Sequence, residues 1–87
     1  MNHNSMIQTY IIRVIRNLRL LRRQREYSQE YMAFMLNISQ NAYSRLESGK
    51  TPMTINRLFQ ICDLLEVHPV ELLTLESIPD ALSNSSR

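Results

Sequence analysis

An 87-residue chain that is 44% hydrophobic and 21% charged is long enough for one modest core and too rich in apolar side chains for disorder throughout. One glycine, three prolines and the absence of period-two alternation leave nothing from which to build a sheet, so the expected class is all-α. The net charge of +2 is unevenly spread: residues 1–57 hold nine Lys and Arg against three Asp and Glu, residues 58–87 one against five, and a polyanion would dock on the first part.

The first periodic segment, MIQTYIIRVIRNLRLLRRQRE, places Ile7, Tyr10, Ile11, Val14, Ile15, Leu18 and Leu21 on one stripe, with Arg13, Arg16, Arg19 and Arg23 off it. This predicts a helix over about residues 6–25 whose apolar side enters the core. A basic amphipathic helix can also bind an anionic membrane or a partner's groove; the core role ranks first because the helices downstream need an apolar partner. The second segment, YSQEYMAFML, has Ser28 as an N-cap and Met32, Ala33 and Leu36 facing inward.

Asn37 then breaks the pattern. A helix that must turn sharply needs a residue able to enter the left-handed region, and asparagine is the next choice after glycine. Ile38 plugs the corner and Ser39 caps a third helix, 40–47. Tyr43 and Leu46 face its inner side, leaving Gln40, Asn41, Ser44, Arg45 and Ser48 outward. Tyr43 reads as core with its hydroxyl at the rim, within reach of a phosphate. Met32, Met35 and Met53 sit at spacings that suit core filling. Cys62, within INRLFQICDLLEV, reads as a small buried thiol.

Catalytic chemistry finds little support. His3 and His68 have no Cys or His partner at metal-ligand spacing, Gly49 alone cannot make a phosphate loop, and the acids are scattered. His68, before Pro69, reads as a helix start. The expectation is no enzyme, no metal and no cofactor. No apolar run is long enough to span a bilayer, and MNHNSMIQTYIIR lacks the charged-then-apolar layout of a secretory signal, so the expected location is the cytoplasm.

Two short helices joined by a tight turn, with Ala33 where they cross, form a helix-turn-helix unit. The run SQEYMAFMLNISQNAYSRLESGKT resembles the DNA-binding core of the phage-repressor family, the Cro and Xre-like helix-turn-helix proteins. The likeness is carried by Gln29, Ala33, the apolar Met32, Leu36, Ile38, Tyr43 and Leu46, and by Glu47, Gly49 and Lys50 after the third helix. Upstream, LRLLRRQREYSQ is similar to that family's first helix; downstream, TINRLFQICDLLEVHPVELL is similar to its last two. The resemblance spans about residues 14–75. Asn37 and Glu66 stand where glycines are frequent, the latter at an expected small cost, and Pro52 comes one residue early.

That resemblance implies a five-helix repressor-like fold; with the first helix extended beyond the family pattern, a single domain is expected over residues 1–78, and the polar run DALSNSSR reads as a flexible tail over 79–87. It implies a regulator, repressor or autoregulator, that reads double-stranded DNA in the major groove with helix 40–47. Gln40, Asn41 and Arg45 are the expected base contacts, because amides pair with adenine and arginine with guanine; Ser44 could reach a base edge or a phosphate. Gln29, Ser39, Ser48, Lys50 and Thr51 are the expected phosphate contacts, and Arg22 and Glu47 a structural ion pair. A homodimer is expected, through either the C-terminal segment VELLTLESI or the apolar extension Met6 to Ile12. The alternative is a protein-interaction module, as an antitoxin-like regulator would be, and a membrane-surface role for the first helix ranks third.

Overall fold

The computed structural model describes residues 3–74, and within them five helices and no strand: α1 (His3–Gln24), α2 (Gln29–Leu36), α3 (Gln40–Glu47), α4 (Ile55–Leu65) and α5 (Pro69–Thr74). The all-α expectation holds, and the proposed tail over residues 79–87 lies outside the described residues.

Side-chain oxygens set the helix starts. Ser28 Oγ accepts from the Tyr31 amide at 2.9 Å, Ser39 Oγ from Ala42 at 3.0 Å and Thr54 Oγ1 from Arg57 at 3.1 Å. Each satisfies one of the amides that a first helical turn leaves without a partner. At α5 the cap is reciprocal: His68 Nδ1 accepts from the Val70 amide, and the Glu71 carboxylate accepts from the His68 backbone N–H. Pro69, with no amide hydrogen to satisfy, fits the first position between them.

Helix ends are set by the backbone. α1, α2 and α4 each stop at a residue in the left-handed region, Glu26 (φ 60°), Asn37 (φ 59°) and Glu66 (φ 57°). In all three the following amide reaches back to close the last turn: Tyr27 to the Arg22 carbonyl, Ile38 to Ala33 and Val67 to Cys62, at 3.0–3.1 Å. Asparagine tolerates this conformation through its short polar side chain, whereas a glutamate is strained there by about 1–2 kcal/mol. Glu66 is thus a dearer substitute for glycine than its sequence position suggested.

The core lies where α1 crosses α3, α4 and α5, and where α2 packs on α3 and α4. Leu18, Leu21, Met32, Ala33, Tyr43, Leu46, Ile61, Cys62, Leu65 and Leu72 are buried in it. Ala33 lets α2 approach its neighbours closely. Buried Asn17 donates from Nδ2 to the Leu72 carbonyl and ties α1 to α5.

Two expectations of burial fail. Met35 is exposed, because an eight-residue α2 that turns Met32, Ala33 and Leu36 inward carries Met35 round to solvent. More consequentially, the α1 stripe is buried at Leu18 and Leu21, 1% and 8% exposed, but bare at Ile7, Tyr10 and Ile11, 50%, 53% and 44%. Periodicity reports that a helix has an apolar side. It does not report that anything covers it.

Glu66→Gly removes left-handed strain while adding some chain entropy to the unfolded state, a net gain of about 0.5–1 kcal/mol. Thermal unfolding followed by circular dichroism should move up by about 4–8 °C per kcal/mol in a domain of this size. Asn37→Gly should move it less.

Candidate nucleic-acid interface

Helix α3 is held by its inner face and its last residue. Tyr43 and Leu46 enter the core, and Glu47, 3% exposed, ends the helix beneath α1. The Glu47 carboxylate accepts four hydrogen bonds. Oε2 receives Arg22 Nε and the Tyr43 hydroxyl, the latter at 2.7 Å; Oε1 receives Arg22 Nη2 at 3.0 Å and Gln29 Nε2 at 3.1 Å. These fill the acceptor capacity of an ionised carboxylate. Arg22 also donates to the Tyr27 carbonyl at 2.7 Å, and Arg19 reaches the Glu47 carbonyl. Three helices are therefore tied to one acid.

Burial by itself would push the Glu47 carboxyl up, but the hydrogen bonds from Arg22, Tyr43 and Gln29 and the Arg22 charge outweigh it and hold it below its ordinary value. Burial works against the charged Arg22 too, and the Glu47 partnership more than compensates. Burial first, then the Glu47 contact, pushes the Tyr43 phenol up. Its hydroxyl is fully enclosed on Glu47, not at the rim, and no phosphate can reach it. Burial and the Glu71 charge also raise the Cys62 thiol, which keeps it protonated and inert.

With its inner face fixed, α3 turns outward the residues singled out from the sequence. Gln40, Asn41 and Arg45 are exposed and Ser44 is half-buried. Arg45 donates from Nε to Thr51 Oγ1 at 3.2 Å, which steadies the side chain and leaves its Nη hydrogens pointing away from that bond. A guanidinium held by Nε still presents an end that matches a guanine edge.

The residues expected at phosphates fall into two groups. Lys50 and Ser39 are exposed and Thr51 is half-buried, in segments flanking α3; Ser39 accepts from Ala42 and keeps its hydroxyl hydrogen to donate. Gln29 and Ser48 are engaged internally. Gln29 gives one amide hydrogen to Glu47 and retains a second, whereas Ser48 donates its hydroxyl to the Arg45 carbonyl at 3.3 Å. A phosphate at Ser48 requires that hydroxyl to rotate away. The loop between them is set by Gly49 at φ 79°, with Lys50 and Thr51 amides both closing on the Arg45 carbonyl.

One residue escaped the reading of the sequence. Arg57, in the first turn of α4, lines an open 410 Å³ groove together with Asn41, Arg45 and Thr51, and its guanidinium bonds Gln60 Oε1 at 2.9 Å. It lies twelve residues beyond Arg45, across an irregular loop, so no helical spacing connected the two. Among the described residues no cluster of His, Cys, Asp and Glu could hold a metal ion, and no helix is long and apolar enough to cross a membrane.

Two short helices, a left-handed turn between them and a polar outer face on the second define a helix-turn-helix domain of the DNA-binding type. Residues 18–72 match the helix-turn-helix family of Cro/C1 and Xre-like regulators, and the chain belongs to it. That family binds double-stranded DNA and regulates transcription. No curated protein and no solved structure matches the chain.

The four-fold satisfied carboxylate makes the fold acid-sensitive with a definite sign. Glu47 has its folded value lowered, so its contribution is full above about 4.5 and is lost as pH falls through the lowered value. Urea melts from neutral pH downward should show that loss in the native chain and much less of it in Glu47→Gln. Glu47→Gln should itself destabilise by about 3–5 kcal/mol at pH 7, because it leaves the Arg22 charge buried without its partner.

Proposed function

We propose that the protein is a sequence-specific transcriptional regulator, a repressor or autoregulator, that inserts α3 into the major groove and binds as a homodimer. The observation that supports this best is the contrast across α3. Its inner face and final acid are immobilised by the core and by four hydrogen bonds, while Gln40, Asn41 and a Thr51-steadied Arg45 are exposed on the other side. A helix built to present those side chains at a fixed angle suits a reader of base edges.

Gln40 and Asn41 open the helix and pair with adenine or another base in the deepest part of the groove; Arg45, one turn on, pairs with guanine. Ser44 contacts a base edge or a phosphate between them. Ser39, Lys50, Thr51 and Gln29 hold the backbone, and Arg57 adds a cation at the far wall of the groove. Ser48 joins them only after its hydroxyl swings outward. Arg22 and Glu47 touch no DNA and act by fixing α3. A single helix spans few base pairs, so two copies on half-sites about 34–36 Å apart supply the specificity. A reader of duplex DNA acts where that DNA is, in the cytoplasm.

Selection of bound duplexes from a randomised library tests this directly. The native chain should enrich an inverted repeat, and Gln40→Ala with Arg45→Ala should abolish the enrichment while leaving the fold intact. Affinity for the enriched site should fall log-linearly with salt, with a slope of about −0.9 per phosphate neutralised. Arg57→Ala should make that slope shallower by about one without changing the selected sequence. A salt-independent complex with a protein, and no enriched duplex, would instead identify an interaction module of the antitoxin type.

A further inference from the structure

We propose that the bare amino-terminal half of α1 and the groove beside it form the surface through which two copies of this chain associate, the α1 end of each copy seating in the groove of the other. The family match begins at residue 18, so the first four turns of α1 stand outside the family's domain. They nevertheless continue its apolar stripe. Val14 is half-buried and packs on the core, and beyond it Ile11, Tyr10, Ile7 and Met6 are all exposed.

The stripe does not face open solvent alone. Tyr10, Ile11 and Val14 line a 530 Å³ groove together with Met53, Leu58 and Leu73 of α5, the last itself 63% exposed. A concave apolar groove alongside a protruding apolar helix is complementary to a second copy of itself, as a two-fold contact requires. Residues 6–12 contain no Asp, Glu, Lys or Arg, so seating them brings no charge into the groove, where Lys50, itself exposed, is the single charged lining residue. The area is sufficient: Met6, Ile7, Tyr10, Ile11 and Leu73 leave on the order of 500 Å² uncovered per copy, or about 1,000 Å² for a pair, the size at which a specific interface begins. A flat membrane surface could cover the outer side of the stripe but not the groove. The helix of a second copy covers both.

This surface adjoins the reading face. Thr51 and Pro52 line both the groove beside α1 and the groove beside α3, so the loop after α3 separates two working surfaces. The interface rests on the proposed function only for the need of a second copy.

Sedimentation equilibrium of the full chain tests it, across a hundredfold range of concentration and with unfolding midpoints recorded for each variant. The native chain should sediment at twice its 10.3 kDa mass. Ile7→Glu with Ile11→Glu, both at exposed positions, should sediment at the single mass with the midpoint for unfolding at low concentration unchanged. Ile12→Glu adds a charge on the same helix beside Thr9, Arg13 and Arg16, away from the groove, and should leave the mass doubled. A native chain of single mass throughout overturns the proposal, and so does a double variant that keeps the doubled mass. Flotation of a single-mass native chain with anionic vesicles would give the stripe to a membrane instead. DNA selection on the same samples keeps the two readings apart. A doubled mass with no enriched duplex removes the DNA reader and leaves the interface, while an enriched inverted repeat from a double variant that remains doubled does the reverse.

Discussion

The placement of α3 depends on one buried carboxylate. Glu47 sits at the end of α3, where a helix dipole disfavours negative charge, and is nearly closed off from water. Both circumstances would oppose ionisation if Arg22 were absent. With Arg22, Tyr43 and Gln29 all donating to it, the acid instead becomes the point where α1, α2 and α3 are fastened together. A buried pair of this kind adds little net stability compared with apolar residues of the same volume. Its value here is orientation. Apolar contacts from Tyr43 and Leu46 would permit α3 to roll or slide by small amounts, and directional bonds at its last residue do not.

The same constraint explains how polar side chains are divided over the molecule. Gln29 belongs to the second helix and looks outward in the sequence, yet it gives one hydrogen to Glu47, so whatever it touches outside is positioned by the acid. Arg45 is steadied by Thr51, and the backbone amides of Lys50 and Thr51 return to the Arg45 carbonyl. The loop after α3 is thereby registered to the helix it follows. Fixing the helix fixes the loop and the groove wall that the loop supplies.

What could be read from the sequence was what is local. Ser28 and Ser39 act within three residues, and Asn37 acts on its own φ, so composition and spacing were enough to identify them. Glu26 and Glu66 adopt the same left-handed conformation, but glutamate carries no preference for it, and only the closed turn reveals it. Arg22 and Glu47 lie 25 residues apart, so only the family resemblance pairs them, and the Tyr43 hydroxyl turns inward because Glu47, one helical turn on, has an acceptor site left for it. Arg57 was missed for the same reason of distance. The outer face of α3, by contrast, follows from a period of 3.6 and two inward residues, and its exposure was legible at once.

The longest misreading, the α1 stripe, is also the most informative. Seven apolar positions at three-and-four spacing describe a single continuous face, yet the core of this small domain reaches only the later ones. The lower-numbered half of that face is supported by nothing in its own chain among the described residues beyond the groove wall it forms. Leaving Ile7, Tyr10 and Ile11 in water sacrifices roughly 25 cal/mol for every Å² of apolar surface, a standing penalty that a monomer gains nothing by keeping. A helix that began near Val14 would fold the same core. A second copy seated on the turns before it, as proposed above, would remove that penalty, and the loop after α3, whose Thr51 and Pro52 line the grooves on both sides, is where such a contact would be felt by α3.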